Sequence, residues 1–385
     1  MIERVIFFLD YPFDKRDYKR FGIEALKKNG FNIEVWDFVP LLHPAVMENV
    51  KVKDPMQLDM SFSRKGEAIS AIKGLKQSDI VIFLIPYDIE SLFIYRALSK
   101  VGVPYCVMAA NSLPNIPKQR RNFLKFARIR NVTPENIRDL IFRYLPFRWM
   151  GVESASLLFA GGAASTPSNY PVDDNTERLW LHTFDYDLYL ERLNETIEVN
   201  KKMGVFLDEY LPFHPDYVYS SLPVPETEDT YYEGLCEFFQ LLESKYDANI
   251  VVAAHPRSHY GEHPDYFKGR EAIRGNTLEL VARSGFVICH SSTSINFAVL
   301  FRKPVIFITS NKIDQSWYGP YIRSMADAFG KMPINVDSNI TLDFNKELEI
   351  DDDVYNEYKR SYIKVPESKD LPFWEIFSEH IIEYY

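Results

Sequence analysis

Cysteine is scarce in this chain of 385 residues, which contains only Cys106, Cys236 and Cys289. Three cysteines cannot build a disulfide framework or a four-cysteine metal centre, and their scarcity favours a reducing compartment. An excess of positive charge is also missing, because the formal net charge is −10 at pH 7. This balance argues against nucleic acid as a general partner, since binding to a phosphate backbone needs a basic surface.

Long hydrophobic runs are missing as well. No stretch approaches the roughly 18 consecutive apolar residues that a membrane-spanning helix needs. The first apolar run ends at Asp10 and is shorter than the apolar core of a signal peptide. We expect a cytoplasmic protein, with any membrane contact being peripheral and on the inner face.

The first half of the chain alternates apolar strands with helical segments but lacks the GxGxxG fingerprint of dinucleotide binding. Hydrophobic residues make up 46% of the chain, as in a folded globular protein. Such alternation predicts a parallel sheet in a Rossmann-like domain. The predicted strands of this half are Val5–Leu9, Phe31–Trp36, Asp79–Ile85, Pro104–Met108 and Ser156–Ala160.

The second half repeats this pattern, with predicted strands Ile250–Ala254, Phe286–Cys289 and Val305–Ile308. We predict an α/β protein of the GT-B class, in which two Rossmann-like domains with parallel sheets face a central cleft. The predicted N-terminal domain covers residues 1–200 and would bind the acceptor. Residues 201–365 would bind the nucleotide sugar, and residues 366–385 would form a terminal helix packed on the N-terminal domain.

Two polar clusters follow strands of the second predicted sheet. His255, Pro256 and Arg257 come after the first strand, and Ser291, Ser292, Thr293 and Ser294 come after the second. Ligands of parallel sheets bind outside the carboxyl ends of the strands. We therefore expect both clusters at one sheet edge, on neighbouring strands if the strand order is simple.

The chemistry of these clusters suits a phosphate. The free N–H groups at the start of a helix after Ser294, together with hydroxyl donors, attract phosphate, although simple helix capping is the alternative. His255 can donate a hydrogen bond to a departing phosphate or protonate it, and Arg257 can add positive charge. A structural role is the alternative for a single histidine.

Transfer of a sugar also needs a base for the acceptor hydroxyl. Asp208 and Glu209 follow the short apolar strand Gly204–Leu207, and we predict Asp208 as the base. Asp10, at the end of the first strand, is the second choice. Asp10 and Glu209 are both expected on the acceptor side of the site.

His255-Pro256 and the later pair Ser291-Ser292, with KPVI shortly after, resemble motifs of bacterial GT-B transferases that use CMP-activated sugars, the sialyltransferases and Kdo transferases. The resemblance covers about a third of the chain and implies an inverting, metal-independent transfer to a capsule or lipopolysaccharide glycan. It implies that the histidine and the serine pair contact the CMP phosphate. In that group the base is an Asp in an acidic-acidic-Gly motif, whereas Tyr210 follows Asp208-Glu209 here.

Two other features bear on partners. Asp185-Tyr186-Asp187 is a DxD pattern, which holds Mg²⁺ or Mn²⁺ in the other large glycosyltransferase fold, whereas the leading hypothesis needs no metal or cofactor. Lys118–Arg130 is basic and partly apolar, and it either contacts an anionic membrane or forms a solvated helix.

The leading hypothesis is a glycosyltransferase that moves a sugar from a nucleotide-sugar donor, preferably a CMP-sugar, to a cell-surface glycan. A UDP-GlcNAc-type 2-epimerase is the alternative enzyme, since such epimerases also carry HP and serine-rich junctions. A non-catalytic sugar-nucleotide-binding protein is the third hypothesis.

Overall fold

The computed structural model describes residues 1–44, 54–114, 138, 142, 144–166, 170–214, 217, 222–262, 264–338 and 343–385. All of the basic segment Lys118–Arg130 lies outside the described residues, as does most of Thr133–Tyr144, for which the Thr-Pro-Glu start predicts a helix. The chain divides into two compact units. Unit 1 takes the described residues of Met1–Ser112, Ile129–Phe184 and Lys364–Tyr385, and unit 2 takes those of Leu113–Arg128 and Asp185–Ile363. The predicted boundaries at residues 200 and 365 therefore differ from the observed changes at 184/185 and 363/364.

Unit 1 contains a parallel sheet of seven strands in the order β3-β2-β1-β4-β5-β6-β7. The strands are β1 Arg4–Leu9, β2 Asn32–Asp37, β3 Met60–Ser61, β4 Asp79–Phe83, β5 Tyr105–Met108, β6 Leu157–Ala160 and β7 Glu177–Trp180. Helices are Lys15–Arg20, Ile23–Lys28, Val39–Leu42, Lys65–Lys73, Leu92–Val101, the 3-10 turn Phe147–Met150 and Phe373–Tyr384.

Apolar residues cover both faces of this sheet. In β1, Phe7 contributes to the apolar cluster on one face and Phe8 to the cluster on the other, because successive side chains of a strand alternate between faces. A strand that is buried on both sides reads as a continuous apolar run, which is why β1 and β4 are recognisable from the sequence.

The terminal helix Phe373–Tyr384 packs within unit 1. The indole Nε1 of Trp374 donates a hydrogen bond of 2.8 Å to the backbone oxygen of Arg20. The ring of Trp374 lies edge-on to Phe7, with 5.4 Å between centroids. The last residues of the chain thus complete the core that the first strand begins.

Unit 2 contains a parallel sheet of six strands in the order β10-β9-β8-β11-β12-β13. The strands are β8 Asn200–Leu207, β9 Asn249–Ala254, β10 Ala272–Arg274, β11 Ser284–Cys289, β12 Val305–Thr309 and β13 Ile334–Asn335. The α-helices are Phe184–Arg192, Glu228–Tyr246, Thr277–Arg283, Ile295–Leu300, Asn311–Gln315, Gly319–Asp327, Phe344–Glu347 and Asp352–Tyr358. The first residue of the first of these helices, Phe184, still belongs to unit 1. The unit also contains the 3-10 turns Leu211–Phe213 and Tyr260–Glu262 and the π-helix Lys359–Ile363.

The structure corrects two local predictions in this unit. The sequence of residues 188–202 predicts a helix, but the helix of the structure ends at Arg192 and β8 already begins at Asn200. The aromatic stretch Gln315–Phe329 is predicted from the sequence to be a loop, but it contains the helix Gly319–Asp327. Pro320 lies in the first turn of this helix, where proline is tolerated because the N–H of that position has no partner in a helix. No helix among the described residues has the length and apolar content to cross a membrane.

Candidate functional site at the carboxyl edge of the second sheet

The strand order places β8 at the centre of the candidate site. Val205 of β8 lies opposite Val251 of β9 and Val287 of β11, so all three strands end at the same level. The prediction that the His255 and Ser291 clusters follow neighbouring strands is therefore wrong, because β8 lies between them. The chain runs from β8 to β9 on one side and later returns to β11 on the other, which makes the carboxyl ends of β8 and β11 a topological switch point.

Asp208 comes directly after β8 and is only 4% exposed. Its Oδ2 accepts hydrogen bonds from the backbone N–H of His255 at 3.0 Å and from the hydroxyl of Tyr260 at 2.9 Å. Its Oδ1 accepts from the backbone N–H of Tyr210 at 2.9 Å. Burial raises the pKa of Asp208 to about 6 despite these donors. The carboxylate therefore holds the turn after β9 in place, and both of its oxygens are already occupied.

Glu209 makes the corresponding connection on the other side. One carboxylate oxygen accepts a hydrogen bond of 2.7 Å from the backbone N–H of Ser291, and the other accepts from the hydroxyl of Tyr318. Burial raises the pKa of Glu209 to about 7, with the nearby Asp208 adding to the rise. The acidic pair thus fastens the two polar turns to the central strand, one turn on each side.

His255 lies half-buried at the end of β9, while Pro256 and Arg257 are exposed. The backbone N–H of Arg257 donates to Nδ1 of His255 at 3.2 Å, which makes Nδ1 an acceptor and leaves the ring proton on Nε2. The imidazole lies 4.8 Å from that of His214, measured between ring centroids. This geometry presents an N–H donor at the sheet edge, as a hydrogen bond to phosphate requires.

The hydroxyl turn, Ser291–Ser294, connects β11 to the helix Ile295–Leu300. Thr293 is exposed and the three serines are partly exposed. Ser294 occupies the N-cap position, yet its side chain makes no capping hydrogen bond. The helix has only six residues, so its dipole adds little to anion binding. The hydroxyl groups and backbone N–H groups of the turn are therefore its main means of holding an anion.

His290 directly precedes the hydroxyl turn, and two hydrogen bonds of its ring hold it in place. Its Nδ1 donates to the backbone oxygen of Ile308 at 2.8 Å, and its Nε2 accepts from the hydroxyl of Tyr231 at 3.1 Å. Burial lowers the pKa of His290 to about 4, so the imidazole is neutral at physiological pH. His290 therefore fixes the position of the turn and carries no charge to a ligand.

A group of aromatic rings lies next to Tyr318, the residue whose hydroxyl donates to Glu209. Trp317 lies 6.0 Å from Tyr217 and 6.1 Å from Tyr321 between ring centroids, and Tyr321 is 45% exposed. Trp317 also donates through Nε1 to the backbone oxygen of Pro223 at 2.8 Å. We did not predict these residues or Tyr260 and Tyr318 from the sequence. The many aromatic residues between Gln315 and Phe329 are the only feature of the sequence that points to Trp317, Tyr318 and Tyr321.

Asp10 lies at the carboxyl end of β1 in unit 1. Its Oδ2 lies 3.3 Å from Nε2 of His43. The sheet of unit 1 has its own switch point between β1 and β4, and Asp10 follows the first of these strands. Asp10 is thus at a carboxyl sheet edge, as predicted for an acceptor-side residue, while the role itself stays a prediction.

The DxD pair lies on the helix Phe184–Arg192. The side chain of Asn296 donates to Oδ2 of Asp185 at 2.9 Å. Among the described residues, no group of three or more His, Cys, Asp or Glu side chains is arranged to hold a metal ion. In the described part of the chain, Asp185 and Asp187 are therefore not joined by a third side chain of these types in a metal-binding arrangement.

Comparison with known proteins supports the fold. No protein-family model matches the sequence, and no curated protein matches it. Among solved structures, S. aureus MnaA in complex with UDP is 14% identical, with 99% of this chain and 95% of that chain covered and a TM-score of 0.51. The UDP-GlcNAc 2-epimerase of Methanocaldococcus jannaschii is 13% identical over 100% of both chains, with a TM-score of 0.46. MurG of Acinetobacter baumannii is 9% identical, with 99% and 98% covered and a TM-score of 0.45.

The likeness to MnaA shows an architecture and nothing more, because the two chains are only 14% identical. Two parallel sheets of seven and six strands, in two Rossmann-like units, give the chain the GT-B fold. The prediction of an α/β protein with two Rossmann-like domains, each with a parallel sheet, is confirmed. The class of reaction has to be argued from the site.

Proposed function

We propose that the chain is an enzyme of nucleotide-sugar metabolism that binds the phosphate of its donor at the hydroxyl turn. The observation that carries this proposal is that two polar turns, one with His255 and one with Ser291–Ser294, are both held at the switch point of the second sheet. There, Glu209 orders the N–H of Ser291, and Asp208 orders the turn that presents His255. The hydroxyl turn and the imidazole of His255 then place uncharged hydrogen-bond donors at the same edge of the sheet.

The proposed roles follow from these contacts. The hydroxyls of the turn and the Nε2–H of His255 would bind the phosphate, and His255 would stabilise or protonate it as it leaves. Arg257, which is exposed beside His255, would add charge to the same phosphate. The ring of Tyr321, which is exposed beside Trp317, offers a surface on which a nucleobase can stack.

Asp208 is reassigned in this proposal. Its two oxygens accept three hydrogen bonds, and its side chain has almost no contact with solvent. A base must reach the proton that it removes. We therefore assign Asp208 and Glu209 to holding the nucleotide-binding turns, and the base for an acceptor must come from another part of the chain.

Glycosyl transfer from a CMP-sugar to a surface glycan is one reaction that fits this site, as the HP and serine-pair resemblance implies. Epimerisation of a UDP-sugar is the second, because the structure most similar in TM-score among those above is a complex with UDP. The metal-independent transfer that the resemblance implies stays a prediction. The cytoplasmic location and the membrane contact through Lys118–Arg130 also stay predictions.

Incubation with CMP-sialic acid and with UDP-GlcNAc separates these reactions. Release of nucleotide that increases with added glycan acceptor supports transfer, and an isomerised nucleotide sugar without acceptor supports epimerisation. Binding of CMP or UDP without turnover of either sugar supports the non-catalytic protein. A chain that binds neither CMP nor UDP contradicts all three and removes the proposal.

A further inference from the structure

Glu209 brings an ionisable group into direct contact with the hydroxyl turn. One of its carboxylate oxygens accepts the 2.7 Å hydrogen bond from the backbone N–H of Ser291, the first residue of the turn. The other oxygen accepts from the hydroxyl of Tyr318. All three residues belong to unit 2. A phosphate that is held by a second hydrogen bond from the turn would lie about 6 Å from the carboxylate, since each hydrogen bond spans about 3 Å.

Glu209 changes its charge close to neutral pH. Burial raises its pKa to about 7, and the charge of Asp208 adds to the rise, whereas the hydrogen bonds from Tyr318 and Ser291 lower the pKa. The carboxyl group of Glu209 is therefore neutral at pH 5 and mostly charged at pH 8.5. Burial also raises the pKa of Asp208, to about 6, so that both members of the acidic pair are charged at pH 8.5.

Other titratable side chains lie on the elements around the acidic pair. They are Tyr210, Tyr231, Tyr232, His255, Arg257, Tyr260, Cys289, His290 and Tyr318. The tyrosines and the cysteine stay neutral up to pH 8.5, because burial raises the pKa of each of them. Burial lowers the pKa of His290 to about 4, whereas Arg257 is positively charged and His255 can take up a proton. A substitution of Glu209 leaves all of these groups in place, so it isolates the effect of the Glu209 charge.

The charge of Glu209 acts differently on two forms of a nucleotide. A phosphate with a single ester bond loses its second proton with a pKa of about 6. The terminal phosphate of a free nucleotide is therefore a dianion at pH 8.5, whereas the same phosphate joined to a sugar by a further ester bond keeps one negative charge. One additional charge about 6 Å from a carboxylate weakens binding by up to about tenfold at an effective dielectric constant of about 40.

We propose that Glu209 makes the hydroxyl turn select nucleotides by charge, so that it holds a nucleotide esterified at its terminal phosphate and disfavours the free nucleotide. This selection rests on the proposed binding of phosphate at the turn. When a sugar is transferred, the acceptor oxygen bonds to the anomeric carbon, and the bond from that carbon to the phosphate oxygen breaks. The acceptor proton goes to a base, and the electron pair stays on the phosphate oxygen. The departing nucleotide thus gains the charge that Glu209 repels, which favours its release.

A connection that only holds the hydroxyl turn in place is the competing explanation for Glu209. Glu209→Gln separates the two explanations, because a glutamine can keep both hydrogen bonds and has no charge. A change in the shape of the turn would affect both forms of the nucleotide alike. Glu237→Gln removes a charge from an exposed position on the helix Glu228–Tyr246 and is the matched control.

The experiment measures the binding of CMP, UDP and their methyl esters at the terminal phosphate by titration calorimetry. The methyl esters carry the charge of a nucleotide sugar but no sugar that can be transferred. Wild type, Glu209→Gln and Glu237→Gln are compared as full-length chains at pH 5 and pH 8.5, with the thermal midpoint of each as a check of folding. The readout is the ratio of the Kd of the free nucleotide to the Kd of its methyl ester.

We expect this Kd ratio to be at least about threefold lower in Glu209→Gln than in wild type at pH 8.5. At pH 5 the ratio should be the same in both chains, because Glu209 is then protonated. Glu237→Gln should give the wild-type ratio at both pH values.

Equal ratios in wild type and Glu209→Gln at pH 8.5 overturn the selection by charge, while binding of either nucleotide leaves the proposed function intact. A difference of the same size at pH 5 and pH 8.5 also overturns the selection, since a charge that is absent at pH 5 cannot cause it. A wild-type chain that binds none of the four ligands overturns both the selection and the proposed function.

Discussion

Glu209 provides the sharpest test of how the site is built, through the substitution Glu209→Gln. A glutamine can keep both contacts, because its oxygen can accept from the N–H of Ser291 while its amide N–H₂ donates to the hydroxyl of Tyr318. The substitution therefore removes the negative charge and keeps the connection between β8 and the hydroxyl turn.

The pKa of Glu209 sets the magnitude. A rise from the ordinary value of 4.5 to about 7 corresponds to about 3 kcal/mol for a fully buried carboxylate. Part of the Glu209 side chain is exposed to solvent. We therefore discount the cost of the charge to about 1–2 kcal/mol. The folded chain keeps the proton up to about pH 7, whereas the unfolded chain releases it near pH 4.5, so this group lowers stability as pH rises between these values.

Glu209→Gln has no carboxyl group to ionise, so the variant does not lose this stability as pH rises. Relative to wild type, the variant should gain about 1–2 kcal/mol in going from pH 5 to pH 8, or about 2–8 °C in the thermal midpoint of unit 2. Glu237→Gln, an exposed position on the helix Glu228–Tyr246, is the control and should show the same difference from wild type at both pH values. A Glu209→Gln variant that loses stability relative to wild type as pH rises would refute a carboxylate destabilised by burial.

Two further substitutions test the histidine side of the site. Tyr260→Phe removes a donor to Asp208, so urea unfolding should show a loss of about 1.5–3 kcal/mol at pH 8, where the carboxylate is charged, and about 1 kcal/mol at pH 5. An equal loss at both pH values would contradict a charged Asp208 at pH 8. His255→Asn can still accept from the N–H of Arg257 but lacks the Nε2–H, so turnover should fall by at least about 100-fold with an unchanged thermal midpoint. Near-normal turnover would remove His255 from the reaction.

The sequence predicts the strands of both sheets because a strand that is buried on two faces is a continuous apolar run in the sequence. β1, β4, β9, β11 and β12 all read as continuous apolar runs, and polar residues mark the points where the strands of unit 2 end. These apolar runs and their polar ends are enough to predict that His255 and the hydroxyl turn lie at a sheet edge.

The order of the strands cannot be predicted from the local sequence, because strand pairing joins residues that are far apart in the chain. β8 precedes β9 by about forty residues and is hydrogen-bonded to β11 as well. Only this central position reveals that Asp208 and Glu209 hold the flanking turns. Asp208 otherwise reads as an available base, since a carboxylate after a strand has the same sequence signature in either role. The partners Tyr260 and Tyr318 are hidden for the same reason, because the sequence gives no sign of which hydroxyl reaches a distant carboxylate.

The central claim is that the hydroxyl turn binds the phosphate of a nucleotide, and titration calorimetry with CMP and UDP on Thr293→Asp tests it most directly. Thr293 is exposed, so the substitution adds a negative charge to the turn with little effect on folding. Repulsion between this charge and the phosphate should weaken binding at least about tenfold. Ser244→Asp adds the same charge near the amino edge of the sheet, just before β9, and should bind as wild type. Equal affinities of wild type and Thr293→Asp for both nucleotides would contradict the claim.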